Sequence, residues 1–267
     1  MATTFKGNDK ANLLSTALAE SSGDNIAITS SDNVEILGLD EKDTIVLDNA
    51  SSDATVAGGK GNDSILISGP NSSSDIQGNI GNDTVRISGD LSSSAVKGGQ
   101  DNDTIHLSGA VSASSIFGGS GDDSLTYLNS TGSINNSLFQ DTDGKTNISI
   151  NSQSFSASTV ISGSGVDTIS ITSTNVIDKS SVEAAAGNDS ITVTASINSS
   201  TIAGGGGNDS LTVVGGIESS TLYGGSGNDT LTATIGANEL DKSVIQDSSG
   251  DNVFRVTSDN LVKKLSV

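Results

Sequence analysis

The sequence predicts an all-β fold, a two-sided parallel β-solenoid, and three observations carry that prediction. First, Asp63, Asp83, Asp103 and Asp123 stand in steps of 20 residues, and Asp189, Asp209 and Asp229 repeat the step. Self-similarity at such a period marks stacked supersecondary units, here about twelve coils in all. Second, the residues two and four places after each Asp are apolar with polar residues between them, as in Ile65 and Ile67, Val85 and Ile87, or Leu211 and Val213. That alternation is a short strand with one face inward. Third, the 267 residues are 33% hydrophobic and 3% aromatic, with 32 Gly, no Trp and no Cys, too few large apolar groups for the thick core of a compact enzyme domain. A charged fraction of only 16% with evenly spread Ile, Val and Leu speaks against an acidic disordered coil.

The elements follow in order within one solenoid domain, 1–267. Residues 1–19 form an atypical N-terminal coil or cap. Phe5-Lys6-Gly7-Asn8-Asp9 reads as a truncated glycine turn with Ala11 and Leu13 two and four places on. The other reading is a capping helix over 9–20, with Leu14, Ala17 and Leu18 at helical spacing. The first block, 20–139, opens with a degenerate coil from Glu20 and a weak copy around Asp43, then carries GGKGND (58–63), GNIGND (78–83), GGQDND (98–103) and GGSGDD (118–123). The second, 140–245, opens with the degenerate QDTDGKTNISI from Gln140 and SGSGVD ending at Asp167, then carries AAAGND (184–189), GGGGND (204–209) and GGSGND (224–229). Residues 246–267 are a degenerate coil, QDSSGDNVFRV from Gln246, which aligns Asn252 with the repeating Asp and puts Leu265 thirteen places on; this segment is also the candidate secretion signal.

Each coil has a second strand around an apolar residue thirteen places after the Asp: Val56, Ile76, Val96, Ile116, Ile202 and Leu222. Between the strands lie serines such as Ser72-Ser73, Ser92-Ser93, Ser199-Ser200 and Ser219-Ser220, whose hydroxyls are expected to bond along the stack. Three apolar side chains per coil make a thin core without room for aromatics, and about twelve coils at the ~4.8 Å strand spacing make a rod of about 55 to 60 Å.

In GGxGND the glycines permit positive φ and expose carbonyls, and the Asp adds a carboxylate at the strand start. Stacking such turns is expected to bring two carboxylates and several carbonyls around one point between coils. Oxygen ligands without His or Cys select Ca²⁺. These segments resemble the repeats-in-toxin (RTX) family, whose nonapeptide G-G-x-G-x-D-x-U-x forms a calcium-binding parallel β-roll. The match is closest at 58–67, 118–127, 204–213 and 224–233. One motif per 20 residues implies a single row of several Ca²⁺ ions along the glycine-turn edge. The resemblance implies Asp63, Asp83, Asp103, Asp123, Asp167, Asp189, Asp209 and Asp229 as carboxylate ligands, with Gly59, Gly61, Gly81, Gly119, Gly121, Gly205, Gly207, Gly225 and Gly227 shaping the turns. Asn79, Asp101, Ala184 and Ala185 depart from the glycine pattern. The competing reading is ion-free corners of stacked Asn and Asp, against which stands the repulsion of like charges along an edge.

Function follows by exclusion and resemblance. A formal charge of -20 repels nucleic acid and anionic membranes and leaves cations or basic proteins as partners. No apolar run reaches the ~20 residues of a membrane span, so no membrane insertion is expected. His106 is the sole histidine, at an outward strand position, and supports no catalytic set, so no enzyme activity is expected. The chain is read as a secreted, extracellular or cell-surface calcium-binding structural protein, without a cleaved N-terminal signal. Family resemblance implies type I export. Its partner is itself: head-to-tail stacking would build a filament, sheath or matrix. The alternative is a monomeric adhesion or ice-binding module using an outward row of Ser170, Thr192, Thr212 and Thr232, flanked by Thr172, Thr194 and Thr234.

Overall fold

The computed structural model describes residues 2–5, 14–17, 25–28, 34–38, 40–236 and 240–258. All its strands pair in parallel, in a 21-stranded and a 12-stranded sheet. A coil is illustrated by Ser64–Ile67, Asn71–Ser72 and Asp75–Ile80. The first of these joins one long ladder, pairing Ile65 with Val85 and with Ile45. The third joins the other sheet, pairing Ile76 with Val56 and Val96. The two-residue middle strand forms a short ladder of its own, Ser72 opposite Ser52 and Ser92. The solenoid therefore has a third, minor face at the corner where the sequence suggested only a serine turn.

Register holds at 20 residues from Thr44 to Ser124 and from Ser190 to Thr230, and lengthens between these runs. Ser124 pairs with Asn147, 23 residues on, with an irregularity between Asn129 and Ser133. Thr168 pairs with Ser190, after which the 20-residue step returns.

The core is a continuous stack of inward columns. The three expected columns are buried, as Ile65, Ile67 and Ile76 show, and the minor ladder adds a fourth: Leu91, Val111, Ile134, Phe155, Ile177, Ile197 and Ile217. A three-residue core is thus corrected to four. The sequence hid this column because a strand of two residues has no alternation to read, and because Ser51 and Asn71 occupy it in the early coils. The exclusion of aromatics is corrected too. Tyr127, Phe139 and Phe155 are fully buried where the coils lengthen, since a wider coil leaves volume that aliphatic side chains would not fill.

The serine corner differs by one residue from expectation in the first block. The buried hydroxyls that bond along the stack are those of Ser74, Ser94 and Ser114, not Ser72-Ser73 or Ser92-Ser93. Ser94 Oγ accepts from Ser74 N–H at 3.0 Å and donates to Ser92 O at 2.9 Å. Ser137, Ser158, Ser180, Ser200, Ser220 and Ser243 continue the ladder. One residue earlier each coil turns through a left-handed conformation, as at Ser73 (φ 53°) and Ala113 (φ 50°).

At the N-terminus, Ala2–Phe5 joins the first sheet opposite Asn25–Ile28, and Leu14–Ala17 is a strand of the second sheet opposite Val34–Leu37. Leu14–Ala17 is a strand, where the second of the two readings had a capping helix, and Phe5 ends a strand, where the first had it open a truncated glycine turn. Lys6 to Asp9, Ala11, Leu13, Leu18 and Leu265 lie outside the described residues.

Candidate metal site on the glycine-turn edge

Each glycine turn links the second sheet of one coil to the first sheet of the next, and the repeating Asp is the residue just before the strand, turned inward. Asp63, Asp83, Asp103, Asp123, Asp167, Asp189, Asp209 and Asp229 are all 1 to 3% exposed. One oxygen of each carboxylate is spent on the backbone. Asp63 N–H donates to Asp83 Oδ1 at 2.7 Å, Asp83 N–H to Asp103 Oδ1 at 2.8 Å and Asp189 N–H to Asp209 Oδ1 at 2.8 Å. The series passes through Thr146, whose N–H donates to Asp167 Oδ1, and ends at Asn252, whose Oδ1 accepts from Asp229 N–H at 2.7 Å.

The other oxygen, Oδ2, is buried without a hydrogen-bond partner at Asp63, Asp83, Asp103, Asp123, Asp167, Asp189, Asp209 and Asp229. A buried, unpaired carboxylate oxygen is expensive. Burial accordingly raises Asp83 to about 7, Asp103 to about 8 and Asp189 to about 6, each opposed by the backbone N–H it accepts. Asp63, Asp167 and Asp209 are raised for the same reason.

The space beside Oδ2 is kept open by the first glycine of the motif. A Cβ at Gly78 would collide with Asp83 Oδ2 and stand 2.6 Å from Gly98 O; Gly58, Gly98 and Gly204 are alike. Each such turn thus aims one carboxylate oxygen and one carbonyl of the next coil at a single cradle, and the donor set, oxygen only, fits a hard cation. Two carboxylates do not converge there, as stacking had suggested, because each Oδ1 is held by its neighbour's N–H. Among the described residues no group of three or more His, Cys, Asp or Glu gathers.

The turn glycines lie where they were expected, at positive φ, and none admits a side chain. Over Gly81 and Gly121 lie the carbonyls of Gly61 and Asp101, one coil earlier. Gly61, Gly119, Gly205, Gly207, Gly225 and Gly227 behave alike, and Gly59 shares the positive φ. The departures stay at positive φ but shift toward the left-handed region that tolerates a side chain: Asn79, Asp101 and Ala185 take φ of 87°, 72° and 75°, against 131°, 120° and 112° at Gly99, Gly81 and Gly205. They do change the cradle. Ala184 fills the first-glycine position in the Asp189 coil, and Ser162 fills it in the Asp167 coil, donating to Ala184 O at 3.0 Å.

Sequence reasoning missed a second staple. The residue before the repeating Asp bonds in the opposite direction, Asn62 Oδ1 accepting from Asn82 N–H at 2.9 Å and Asn82 Oδ1 from Asn102 N–H at 2.8 Å. The recurring Asn in GND was the available signal. It also missed Asp141 and Asp247, which stand opposite Gly118 and Gly224, one place beyond the paired Phe117 and Gln140 and the paired Tyr223 and Gln246.

The model of the RTX calcium-binding nonapeptide repeat family (4 copies) matches residues 194–213 and 212–240. No curated protein sequence matches the chain. Among solved structures, a hyperactive, Ca²⁺-dependent, β-helical antifreeze protein from an Antarctic bacterium is similar in fold, with a TM-score of 0.51 and 18% identity over 96% of this chain and 80% of that one. The two matched segments carry RTX-type calcium-binding repeats, and the stacked glycine turns of the parallel solenoid agree with that match.

Proposed function

We propose that the chain is a secreted, calcium-ordered structural rod, with a row of Ca²⁺ ions along its glycine-turn edge supported by Asp63, Asp83, Asp103, Asp123, Asp167, Asp189, Asp209 and Asp229. The observation that carries this reading is the row of buried carboxylate oxygens without partners. Without a cation the row is a stack of desolvated, mutually repelling acids; with one it becomes the spine of the fold. A chain of -20 that folds only in calcium stays open where calcium is scarce and orders outside the cell, consistent with export. Among the described residues no helix is long and apolar enough to cross a membrane. In-register parallel ladders favour head-to-tail growth, since a second copy continues the backbone pairing of the first. Circular dichroism with and without chelator, followed by electron microscopy in calcium, tests both parts. The β-signal is expected to vanish in chelator and filaments to form in calcium. An unchanged spectrum would overturn the calcium spine, and short monodisperse rods at high concentration the filament.

A second reading, ice binding or adhesion, is favoured by one observation. On the first sheet Ser170, Thr192, Thr212 and Thr232 are in register, with Thr172, Thr194, Val214 and Thr234 beside them. This gives a hydroxyl array in register, interrupted at Val214, whereas the first block places Leu66, Arg86 and His106 there. The antifreeze protein of similar fold is described as Ca²⁺-dependent, which suits a surface ordered by calcium. Thermal hysteresis lost in Thr212→Tyr would support it; no hysteresis in the parent protein would end it.

A further inference from the structure

Among the described residues two coils lack the repeating Asp, and they are alike in a way their degeneracy conceals. Thr146 and Asn252 stand where the other turns have Asp, while Asp141 and Asp247 stand where the others have their first glycine. The carboxylate has moved five places upstream, at the end of each run of motifs. Both substitutions are built in the same manner. Asp141 Oδ1 accepts from Gly119 N–H at 2.8 Å, and Asp247 Oδ1 accepts from Gly225 N–H at 3.2 Å. The next residue is a hydroxyl in both, Thr142 donating to Gly119 O and Ser248 to Gly225 O.

The consequence is a doubled carboxylate. A Cβ at Gly118 would stand 2.5 Å from Asp141 Oδ1 and 2.6 Å from Asp123 Oδ2, so these two oxygens face one cradle. At Gly224 a Cβ would collide with Asp247 Oδ2 and stand 2.7 Å from Asp229 Oδ2. Asp123 and Asp229 are 2% and 1% exposed, and their Oδ2 atoms have no hydrogen-bond partner, nor does Asp247 Oδ2. Fully buried Thr146 adds a hydroxyl oxygen beside Asp141, to which it donates.

At Gly58, Gly78, Gly98 and Gly204 one carboxylate faces a neutral carbonyl. We propose that Asp123 with Asp141, and Asp229 with Asp247, form two double-carboxylate sites that each clamp a divalent cation of the calcium type more tightly than any single-carboxylate turn. Two formal charges meet the two charges of the ion, so neither carboxylate is left uncompensated. The ions close the runs 58–123 and 184–229 at the places where the strict repeat is interrupted. The competitor for the same geometry is a proton shared between the two acids, because burial and the facing carboxylate both raise Asp123 and Asp229.

The inference rests on the calcium reading, and ion counting separates the two. Calcium titration of the full chain by calorimetry, with equilibrium dialysis for stoichiometry, is expected to resolve a tight class of two ions above the weaker row. Asp141→Asn and Asp247→Asn are each expected to remove one tight ion, weakening it at least tenfold, and the double variant to remove both while keeping the β-signal in calcium. If the Asn variants do not fold, Asp141→Gly and Asp247→Gly restore the residue used at Gly58 and Gly78 and carry the same expectation. A double variant that retains two tight ions overturns the paired sites and leaves the shared proton. A parent chain that saturates at two ions keeps the paired sites and overturns the row.

Discussion

At the scale of the residue, the repeating Asp has two separable jobs. Its Oδ1 caps the backbone N–H of the neighbouring coil, and its Oδ2 carries a charge into a dry cradle. Asn252 performs the first job alone, accepting from Asp229 N–H at 2.7 Å. Asp103→Asn should therefore preserve the fold. Removing the charge at the residue raised to about 8 should increase the thermal midpoint in chelator, because an amide can be buried there uncharged. In calcium the same substitution should lower the midpoint and the ion count by one. A variant that loses stability equally in both conditions would show that the carboxylate serves only as a backbone cap.

At the scale of the element, the coil is a strand, a corner, a strand and a glycine turn, and the corner carries strain. Ala113 holds φ 50° with a Cβ, in a conformation that costs an L-residue roughly 1–2 kcal/mol. Ala113→Gly should stabilise by about 0.5–1 kcal/mol once glycine's extra freedom in the unfolded chain is deducted, as read by the denaturation midpoint. The neighbouring hydroxyl of Ser114 must stay, since it accepts from Ser94 N–H at 3.1 Å and donates to Ser112 O at 2.8 Å. This corner also shows how far the sequence could be read. Period-two alternation exposed the first long ladder, because Ile65 and Ile67 flank an outward residue, and the apolar residue thirteen places after the Asp, such as Ile76, marked the second. The glycine turns were equally plain, since stacked carbonyls forbid any side chain at Gly81. The two-residue strand had no periodicity to reveal it, and which serine turns inward depends on a single left-handed residue that composition does not mark. Asp141 and Asp247 escaped for a different reason: motif searching looks for the carboxylate at its usual place, and only strand register shows that it has moved.

At the scale of the whole molecule, these carboxylates sum to a conditional stability whose pH dependence changes sign with calcium. In the folded chain Asp83, Asp103 and Asp189 sit near 7, 8 and 6, above the usual carboxylate value. A raised value means that the fold prefers the protonated acid. Its stabilising contribution is complete below about pH 4 and is lost as pH rises through 6 to 8, at ~1.4 kcal/mol per group for each pH unit between the two values. In chelator the thermal midpoint should therefore fall steadily between pH 5 and pH 8, and the -20 chain should be least stable where its interior row is ionised. With saturating calcium the ion binds only the ionised carboxylate, so protons compete with it and the midpoint should rise over the same interval. Differential scanning calorimetry across that range, with chelator and with calcium, reads both slopes. Parallel slopes in the two conditions would mean that calcium does not reach the buried row.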